Sequence, residues 1–272
     1  MTAARTHRVD AMEAPPSLLS YEQLEPKIAR TIQETLDRGR IDIPGRPARK
    51  LVHHINTPEG HLLRDQVARE RPRHTVEVGM GTGLSGLYIC WGLAKAGQGR
   101  HLAIDPYQDG DFWQGAGLAL RNQAGCEPIF EWTGEPDDLA LPRLLRQGSK
   151  FEFALIDGNH RFEAALLDFY YIDKMLAVGG LCVFDDADWP SVWRVVQFAR
   201  RHRNYEWVQA VPIDRGSLLR PWGWRLRWRR WRTFRRQGWP RREALFRKPY
   251  SMVALRKTAE NDRPEHFWTG LE

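Results

Sequence analysis

The chain has 272 residues, of which 42% are hydrophobic and 28% charged, so it is long enough for one large globular domain or two small ones. This composition excludes a collagen-like chain, a fully disordered chain and a disulfide-stapled miniprotein. The three cysteines show no metal-ligand spacing, which predicts no structural zinc site and favours a reducing, cytoplasmic location. No stretch approaches the ~20 apolar residues of a spanning helix, so no transmembrane segment is predicted.

The formal net charge of +7 comes from one segment of the chain. Residues 214–249 contain 13 Lys and Arg against two acidic residues, together with five of the twelve tryptophans, and the rest of the chain has a net charge of −4. Drawn as a helix, this basic insert is amphipathic, with tryptophans and arginines on adjacent stripes. Four interpretations are open: an anchor on an anionic membrane, a contact with RNA, a lid over an anionic acceptor, and a flap that packs on the core or on a partner subunit.

The chain divides into four predicted parts: a mobile leader (1–20), an N-terminal helical cap (21–56), a main domain (57–257) that contains the basic insert, and a C-terminal tail (258–272). The helical pattern of the cap runs from Tyr21 to about Arg38 and is interrupted at Pro26. At the start of the main domain, Thr57-Pro58-Glu59 combines an N-cap, a proline at the first helical position and an acidic first turn. It predicts a helix to about Glu70.

From there on, strand patterns and helix patterns alternate. Strands are predicted at 74–78, 101–105, 127–132, 151–157, 180–186, 205–211 and 251–257. Apolar helical faces follow most of them, beginning near Leu84, Pro136, Phe162 and Val192. Such alternation predicts βαβ units in an α/β fold, with a mostly parallel sheet covered on both faces.

A glycine turn follows the first strand directly, as Gly79-Met80-Gly81-Thr82-Gly83. Residues without a Cβ let a ligand approach the main chain and the helix N-terminus, and Asp105 ends the next strand where it can accept hydrogen bonds from a ribose. The pattern therefore predicts a cofactor that contains adenosine. An NAD(P)-binding Rossmann protein is an alternative, but Glu77 on the strand repels a pyrophosphate and suits a cofactor with a positive charge.

The sequence resembles class I S-adenosylmethionine-dependent methyltransferases, particularly small-molecule O-methyltransferases of the catechol O-methyltransferase-like and macrolide-sugar-methyltransferase type. The resemblance rests on four runs in family order: NTPEGHLLRDQVARERPRHTVEVGMGTGLSGLYIC, AIDP, FALIDGNHRFEAALLDF and GGLCVFDDADWPSV. It covers about residues 56–212 and the last strand. It implies a Rossmann-like, seven-stranded and mostly parallel sheet with one antiparallel strand.

The resemblance also implies roles for single residues. Glu77 and the turn from Gly79 to Gly83 hold the methionine end of the cofactor, Ser85 lies near its carboxylate, and Asp105 takes the ribose hydroxyls. A second group of cofactor contacts follows later strands. Gly134 and Glu135 match the adenine-side loop more loosely, and Asp157 is included among the cofactor contacts.

Carboxylates also follow two later strands, as Asp157 and as Asp185-Asp186. The carboxyl ends of parallel strands meet at one edge of a sheet, and three carboxylates there repel one another unless a cation or a proton lies between them. Oxygen ligands favour Mg²⁺, and metal-dependent relatives place ligands at matching positions. The other interpretation is that one aspartate caps a helix and another is solvated.

His160 follows the fourth strand on the same rim and is the candidate general base, or else a structural hydrogen-bond donor. His53-His54 could lie near the cofactor edge, and Asp188 and Trp189 could line the acceptor pocket. We therefore expect S-adenosylmethionine-dependent methylation of a small-molecule or sugar hydroxyl, assisted by Mg²⁺ and belonging to specialised metabolism. The alternative is an RNA-binding or RNA-modifying protein that uses the basic insert. A homo-oligomer is a further expectation.

Overall fold

A computed structural model describes residues 19–213 and 249–261, together with Pro264 and Phe267. The predicted leader and the basic insert therefore lie almost entirely outside the described residues, and their predictions stay predictions.

The described residues form helices and strands that alternate along the main domain. The helices are α1 (Tyr21–Arg38), α2 (Thr57–Glu70), α3 (Leu84–Ala96), α4 (Ala116–Gln123), α5 (Asp137–Arg146), α6 (Phe162–Met175) and α7 (Pro190–His202). The strands are β1 (Arg40–Ile41), β2 (Arg49–Lys50), β3 (His74–Val78), β4 (Arg100–Ile104), β5 (Phe130–Thr133), β6 (Phe151–Ile156), β7 (Leu176–Phe184), β8 (Tyr205–Pro212) and β9 (Tyr250–Lys257).

The central sheet has seven strands in the order β5-β4-β3-β6-β7-β9-β8. Its first five strands are parallel, and β9 runs antiparallel to both of its neighbours, β7 and β8. The predicted fold class, a mostly parallel seven-stranded sheet with one antiparallel strand, is confirmed. Strand order reverses between β3 and β6, so the crevice at their carboxyl ends is the expected place for a ligand.

Apolar side chains cover both faces of this sheet. On one face, α1, α2 and α3 bury residues such as Ile28, Leu63 and Leu87. On the other, α5, α6 and α7 bury residues such as Phe169 and Val195. Burial on both faces explains why β6 and β7 are largely apolar.

The helix starts and ends differ from the predictions in three places. Helix α1 continues through Pro26, because its face of Leu24, Ile28 and Ile32 is buried in the core and a Ser20 capping box fixes its start. Asn56, not Thr57, is the N-cap of α2. Helix α4 was not predicted, since eight residues that include a glycine are too short to show a clear period.

Two strand predictions also shift. Strand β5 begins at Phe130 because the three residues before it form a turn. Strand β7 begins at Leu176, four residues before the predicted start, directly where α6 ends. In both cases the carboxyl end of the strand, which faces the site, lies within two residues of its predicted position.

Candidate functional site

A cavity of about 1710 Å³ opens at the carboxyl ends of the parallel strands. Its wall includes the predicted residues Gly79, Met80, Gly81, Ser85, Asp105, Asp157, His160, Asp185 and Asp186, and also His53, His54, Asp188 and Trp189. The fold thus gathers, around one space, side chains that are more than a hundred residues apart in sequence.

The glycine turn forms one part of this wall. Gly79 has φ +89°, and a Cβ at this position would lie 2.1 Å from the main-chain oxygen of Asp157. Only glycine fits, because the turn packs directly against the end of β6 and adopts a left-handed conformation. Gly83, with φ +84°, is the N-cap of α3 and is not part of the cavity wall.

Asp105 holds the glycine turn in place. Its Oδ2 accepts hydrogen bonds from the main-chain N–H of Met80 (3.2 Å) and of Gly81 (2.8 Å), and from Gln108 Nε2 (3.1 Å). Its Oδ1 accepts from the Tyr107 N–H at 2.8 Å. The side chain is 3% exposed. Its predicted contact with a ribose stays a prediction, but a second role, as anchor of the turn, is visible in these bonds.

Glu77 lies behind the turn and is fully buried. The Ser85 hydroxyl donates to its Oε2 at 2.8 Å, and His101 Nε2 lies 3.1 Å from its Oε1. Glu77 is not part of the cavity wall, whereas Ser85 is. This geometry therefore gives no support to a direct contact of Glu77 with the cofactor, and it indicates a supporting role beneath the turn.

The loop after β5 reaches the cavity two residues later than predicted. Gly134 and Glu135 are not part of the wall, and Glu135 accepts a hydrogen bond from Arg143 Nε at 2.7 Å. Pro136, Asp137 and Asp138 line the cavity instead. The proline turns the chain into α5, so its first helical residues, rather than the turn, face the ligand space.

The strand-end carboxylates meet as predicted, and a fourth joins them. Burial, followed by repulsion from Asp186, raises the pKa of Asp157 well above its ordinary value. Burial and the charges of Asp157 and Glu59 do the same to the pKa of Asp185. Glu59 is 6% exposed and lines the cavity from the first turn of α2. Its capping position in the sequence did not indicate this role.

His160 faces the same group. Its Nε2 lies 3.0 Å from Asp186 Oδ2 and 3.7 Å from Asp157 Oδ1, and its ring stacks on Trp189 at 5.6 Å. Single ligand atoms from Asp157, His160 and Asp186 all lie within 4.8 Å of one another, and Asp185 is outside this set. The predicted metal site differs from this set by one residue: His160 belongs to the set, whereas Asp185, whose carboxyl lies next to Asp157, does not.

A divalent cation fits this donor set. The group combines carboxylate oxygens with one imidazole, and among the described residues no Lys or Arg forms an ion pair with Asp157, Asp185 or Asp186. Asp185 is buried and Asp157 is partly buried, and carboxylates grouped in this way repel one another unless a proton or a cation lies between them. Oxygen-rich sets of this kind suit Mg²⁺, Ca²⁺ or Mn²⁺.

Aromatic side chains, which sequence reasoning did not single out, form the mouth of the cavity. Tyr107 and Phe112 are 64% and 56% exposed, and Trp113 packs edge-on against Phe112 at 4.6 Å. His53 lies 6.3 Å from Phe112 and has φ +50°, an uncommon conformation for a residue with a side chain.

No described helix is both long and apolar enough to cross a membrane.

Known proteins resemble this chain in sequence and in fold. A family described as a methyltransferase domain matches residues 76–187. A protein of Arabidopsis thaliana, named as a caffeoyl-CoA O-methyltransferase, is 29% identical over 136 residues, which are 50% of this chain and 55% of that protein. The chain therefore spans about half the length of this curated relative.

Solved structures share the fold at low sequence identity. The cofactor-bound protein Rv0187 from MTB has a TM-score of 0.56 and 17% identity, over 87% of this chain and 91% of its own. An O-methyltransferase from Bacillus cereus, solved in complex with SAH, has a TM-score of 0.55 and 13% identity, over 85% and 91%. The glycine turn, the strand order and the shared fold of these solved structures agree with the match of residues 76–187 to a methyltransferase domain.

Proposed function

We propose that this protein transfers the methyl group of S-adenosylmethionine to a hydroxyl oxygen of a small molecule, with a divalent cation in the site. One observation carries the proposal. A single cavity joins a glycine turn, which suits the cofactor, to a group of partly buried carboxylates and an imidazole, which suits a cation that orients a hydroxyl.

The cofactor half of the proposal is supported by the main chain of the turn. Gly79 and Gly81 line the cavity without a side chain, and Met80 and Ser85 line it beside them. No Lys or Arg occurs among the described residues of the wall, so a dinucleotide pyrophosphate finds no cationic partner there. The Bacillus cereus structure holds SAH on the same fold.

Asp157, His160 and Asp186 would hold the cation, with Asp185 beside Asp157 as the predicted further ligand. When bound, such an ion lowers the pKa of a coordinated hydroxyl and orients it. The chain itself positions these groups: Asp157 follows β6, Asp186 follows β7, and Trp189 stacks on the His160 ring. One nitrogen cannot bind a cation and accept a proton, so a metal-bound Nε2 and His160 as general base exclude each other.

The acceptor half is supported by the chemistry of the wall. It carries nine acidic residues: Glu59, Asp105, Asp137, Asp138, Asp157, Glu163, Asp185, Asp186 and Asp188. Tyr107, Phe112 and Trp189 add aromatic surface to the wall. Like charges repel in a cleft with low-dielectric walls, so the wall favours neutral or amine-bearing acceptors with an aromatic or sugar ring over polyanions.

Three measurements test the proposal. Calorimetry with S-adenosylhomocysteine and with NAD should show binding of S-adenosylhomocysteine only. If S-adenosylhomocysteine does not bind, the proposed cofactor is wrong. Labelled methyl transfer to catechol and to sugar acceptors should show turnover. Turnover should fall after EDTA and recover with Mg²⁺, and Asp185→Ala should lower it. Unchanged turnover in EDTA would refute the metal.

An RNA-modifying enzyme is the second candidate, favoured by the basic insert. Its flanking residues Ile213 and Pro249 are joined by a main-chain hydrogen bond of 2.9 Å, and Ile213 lines the cavity. Replacing 216–248 by a short Gly-Ser linker discriminates between the candidates. An RNA enzyme should lose salt-sensitive RNA affinity, whereas a small-molecule enzyme should keep cofactor binding and show no RNA methylation before or after the deletion.

A further inference from the structure

Two exposed aromatic side chains line the cavity in the segment between β4 and α4. Tyr107 is 64% exposed and Phe112 is 56% exposed, although both carry large apolar rings. On a concave wall, such rings present apolar surface to water, and a ligand that covers this surface gains free energy. Neither side chain belongs to the donor set for the cation.

The Phe112 ring is held in place by its neighbours. Trp113 is buried and packs edge-on against it, with 4.6 Å between the ring centroids. The guanidinium carbon of Arg49 lies 5.7 Å from the centroids of both rings, and Arg49 is not part of the cavity wall. Among the described residues, the buried Nε of Arg49 has no hydrogen-bond acceptor, so its cation–π contacts hold this side chain. A ring that is already held loses little freedom when a ligand stacks on it.

The held ring lies beside the glycine turn. A Cβ at Gly81 would lie 3.4 Å from Trp113 Cζ2 and 3.8 Å from the main-chain oxygen of His53. The His53 ring lies 6.3 Å from that of Phe112, and both residues line the cavity. A group that covers Phe112 is therefore close to the turn that suits the cofactor, where a methyl acceptor has to bind.

The chemistry of this surface favours a planar aromatic ring over a sugar. Two aromatic rings stack, or pack edge to face, with centroids roughly 4.5–7 Å apart, and they gain more than the area they bury. A sugar ring carries hydroxyls that lose free energy when they are buried without hydrogen-bond partners. The Phe112 ring offers neither a donor nor an acceptor for them.

We propose that Phe112 is a specificity-determining residue whose exposed ring stacks on a planar aromatic ring of the methyl acceptor, and that Arg49 is a positioning residue that holds Phe112. The inference rests on the proposed function and deepens it, because it selects aromatic acceptors over sugars. Sequence reasoning missed both residues, since they meet only where β2 packs against the segment before α4.

Two matched diols test the inference. Catechol is planar and aromatic, whereas cis-cyclohexane-1,2-diol carries the same pair of hydroxyls on a saturated ring. Calorimetry on protein saturated with S-adenosylhomocysteine and Mg²⁺ gives the dissociation constant of each diol. Phe112→Leu keeps an apolar side chain without the ring, and Phe112→Tyr keeps the ring. Leu139→Ala is the matched control, because Leu139 is also 56% exposed but is not part of the cavity wall.

We expect Phe112→Leu to weaken catechol binding by about three- to tenfold, the effect of one aromatic pair, and to leave the affinity for the saturated diol unchanged. Phe112→Tyr and Leu139→Ala should bind both diols as wild type does. Equal weakening of the two diols, or an unchanged catechol affinity, would overturn the specificity role. Weaker S-adenosylhomocysteine binding with unchanged catechol binding would assign the ring to the cofactor and would also overturn it.

A double-mutant cycle tests the role of Arg49. Arg49→Met removes the cation and keeps an unbranched apolar chain, so it should weaken catechol binding by less than Phe112→Leu does. In the Phe112→Leu background, Arg49→Met should have no further effect, because the ring through which it acts is gone. An additive loss contradicts the positioning role.

The same measurements separate this inference from the proposed function. Wild type that binds S-adenosylhomocysteine but neither diol overturns the aromatic seat and leaves the proposed methyl transfer standing. Wild type that does not bind S-adenosylhomocysteine refutes the proposed function itself.

Discussion

Replacing Asp105 by alanine should both destabilise the fold and abolish cofactor binding. The carboxylate accepts hydrogen bonds from three main-chain N–H groups, those of Met80, Gly81 and Tyr107, and from the Gln108 side chain. The side chain is 3% exposed, so water cannot easily replace it. Each buried donor left unpaired costs about 1 kcal/mol or more, so Asp105→Ala should lower the free energy of unfolding by about 3 kcal/mol or more.

Asp105→Asn separates the two roles of this residue. Its amide oxygen can still accept from Met80, Gly81 and Gln108, but its NH₂ group faces the Tyr107 N–H. We therefore expect the free energy of unfolding to fall by about 1 to 2 kcal/mol. Urea unfolding followed by tryptophan fluorescence gives the stabilities, and calorimetry with S-adenosylhomocysteine gives the affinities. Asp109→Asn is the matched control, because Asp109 is exposed in the same segment.

The outcome that refutes this reasoning is a small effect. If Asp105→Ala stays within about 0.5 kcal/mol of the Asp109 control, the usual range for surface substitutions, the carboxylate does not hold the turn. If Asp105→Asn binds S-adenosylhomocysteine as tightly as wild type, the predicted ribose contact is wrong.

Three further predictions concern the metal, the acceptor and the pH dependence of stability. His160→Ala should raise the Mg²⁺ concentration needed for half-maximal turnover by at least about tenfold, the size of loss seen when a residue that supports a metal site is removed. An unchanged Mg²⁺ dependence with a lower kcat would instead indicate that His160 is a general base. A catechol with an amine side chain should exceed one with a carboxylate side chain by at least about tenfold in kcat/KM, because the wall is acidic; the reverse order contradicts the acceptor argument. Asp168 has its pKa raised to about 9 in the fold, against about 3.9 when unfolded, so it holds a proton that the unfolded chain loses, and its contribution to stability falls as pH rises between these values. Between pH 5 and 9, the free energy of unfolding measured with urea should therefore fall less steeply with pH in Asp168→Asn than in wild type, by up to about 1.4 kcal/mol per pH unit. An unaltered slope would show that Asp168 is ionised.

Much of the fold could be predicted from the sequence because its signals are local. Strands with apolar runs alternate with amphipathic helices, and this alone predicts a parallel sheet covered on both faces. The pattern failed where the local signal was weak or was overridden. Helix α4 is short, and α1 continues through Pro26 because tertiary packing buries its apolar face.

The sequence predicted which loops come together to form the candidate site. Residues directly after β3, β4, β6 and β7 had to share one edge of the sheet, and the structure brings Gly79, Asp105, Asp157 and Asp186 to one cavity. The loop after β5 was displaced by two residues, since the sequence does not reveal where the turn ends and the helix begins to face the ligand space.

What the sequence alone determined is the order of elements, the glycine turn and the carboxylates that follow the strands, because each depends on a few consecutive residues. Only the tertiary structure decided which acidic side chains lie close to one another. Glu59 approaches Asp185 from α2, His160 takes a place near Asp186, and Asp168 meets Asp137 across two helices. Such contacts join residues far apart in the chain, and their energies come from burial and from the charge of the neighbour, neither of which a single stretch of sequence records.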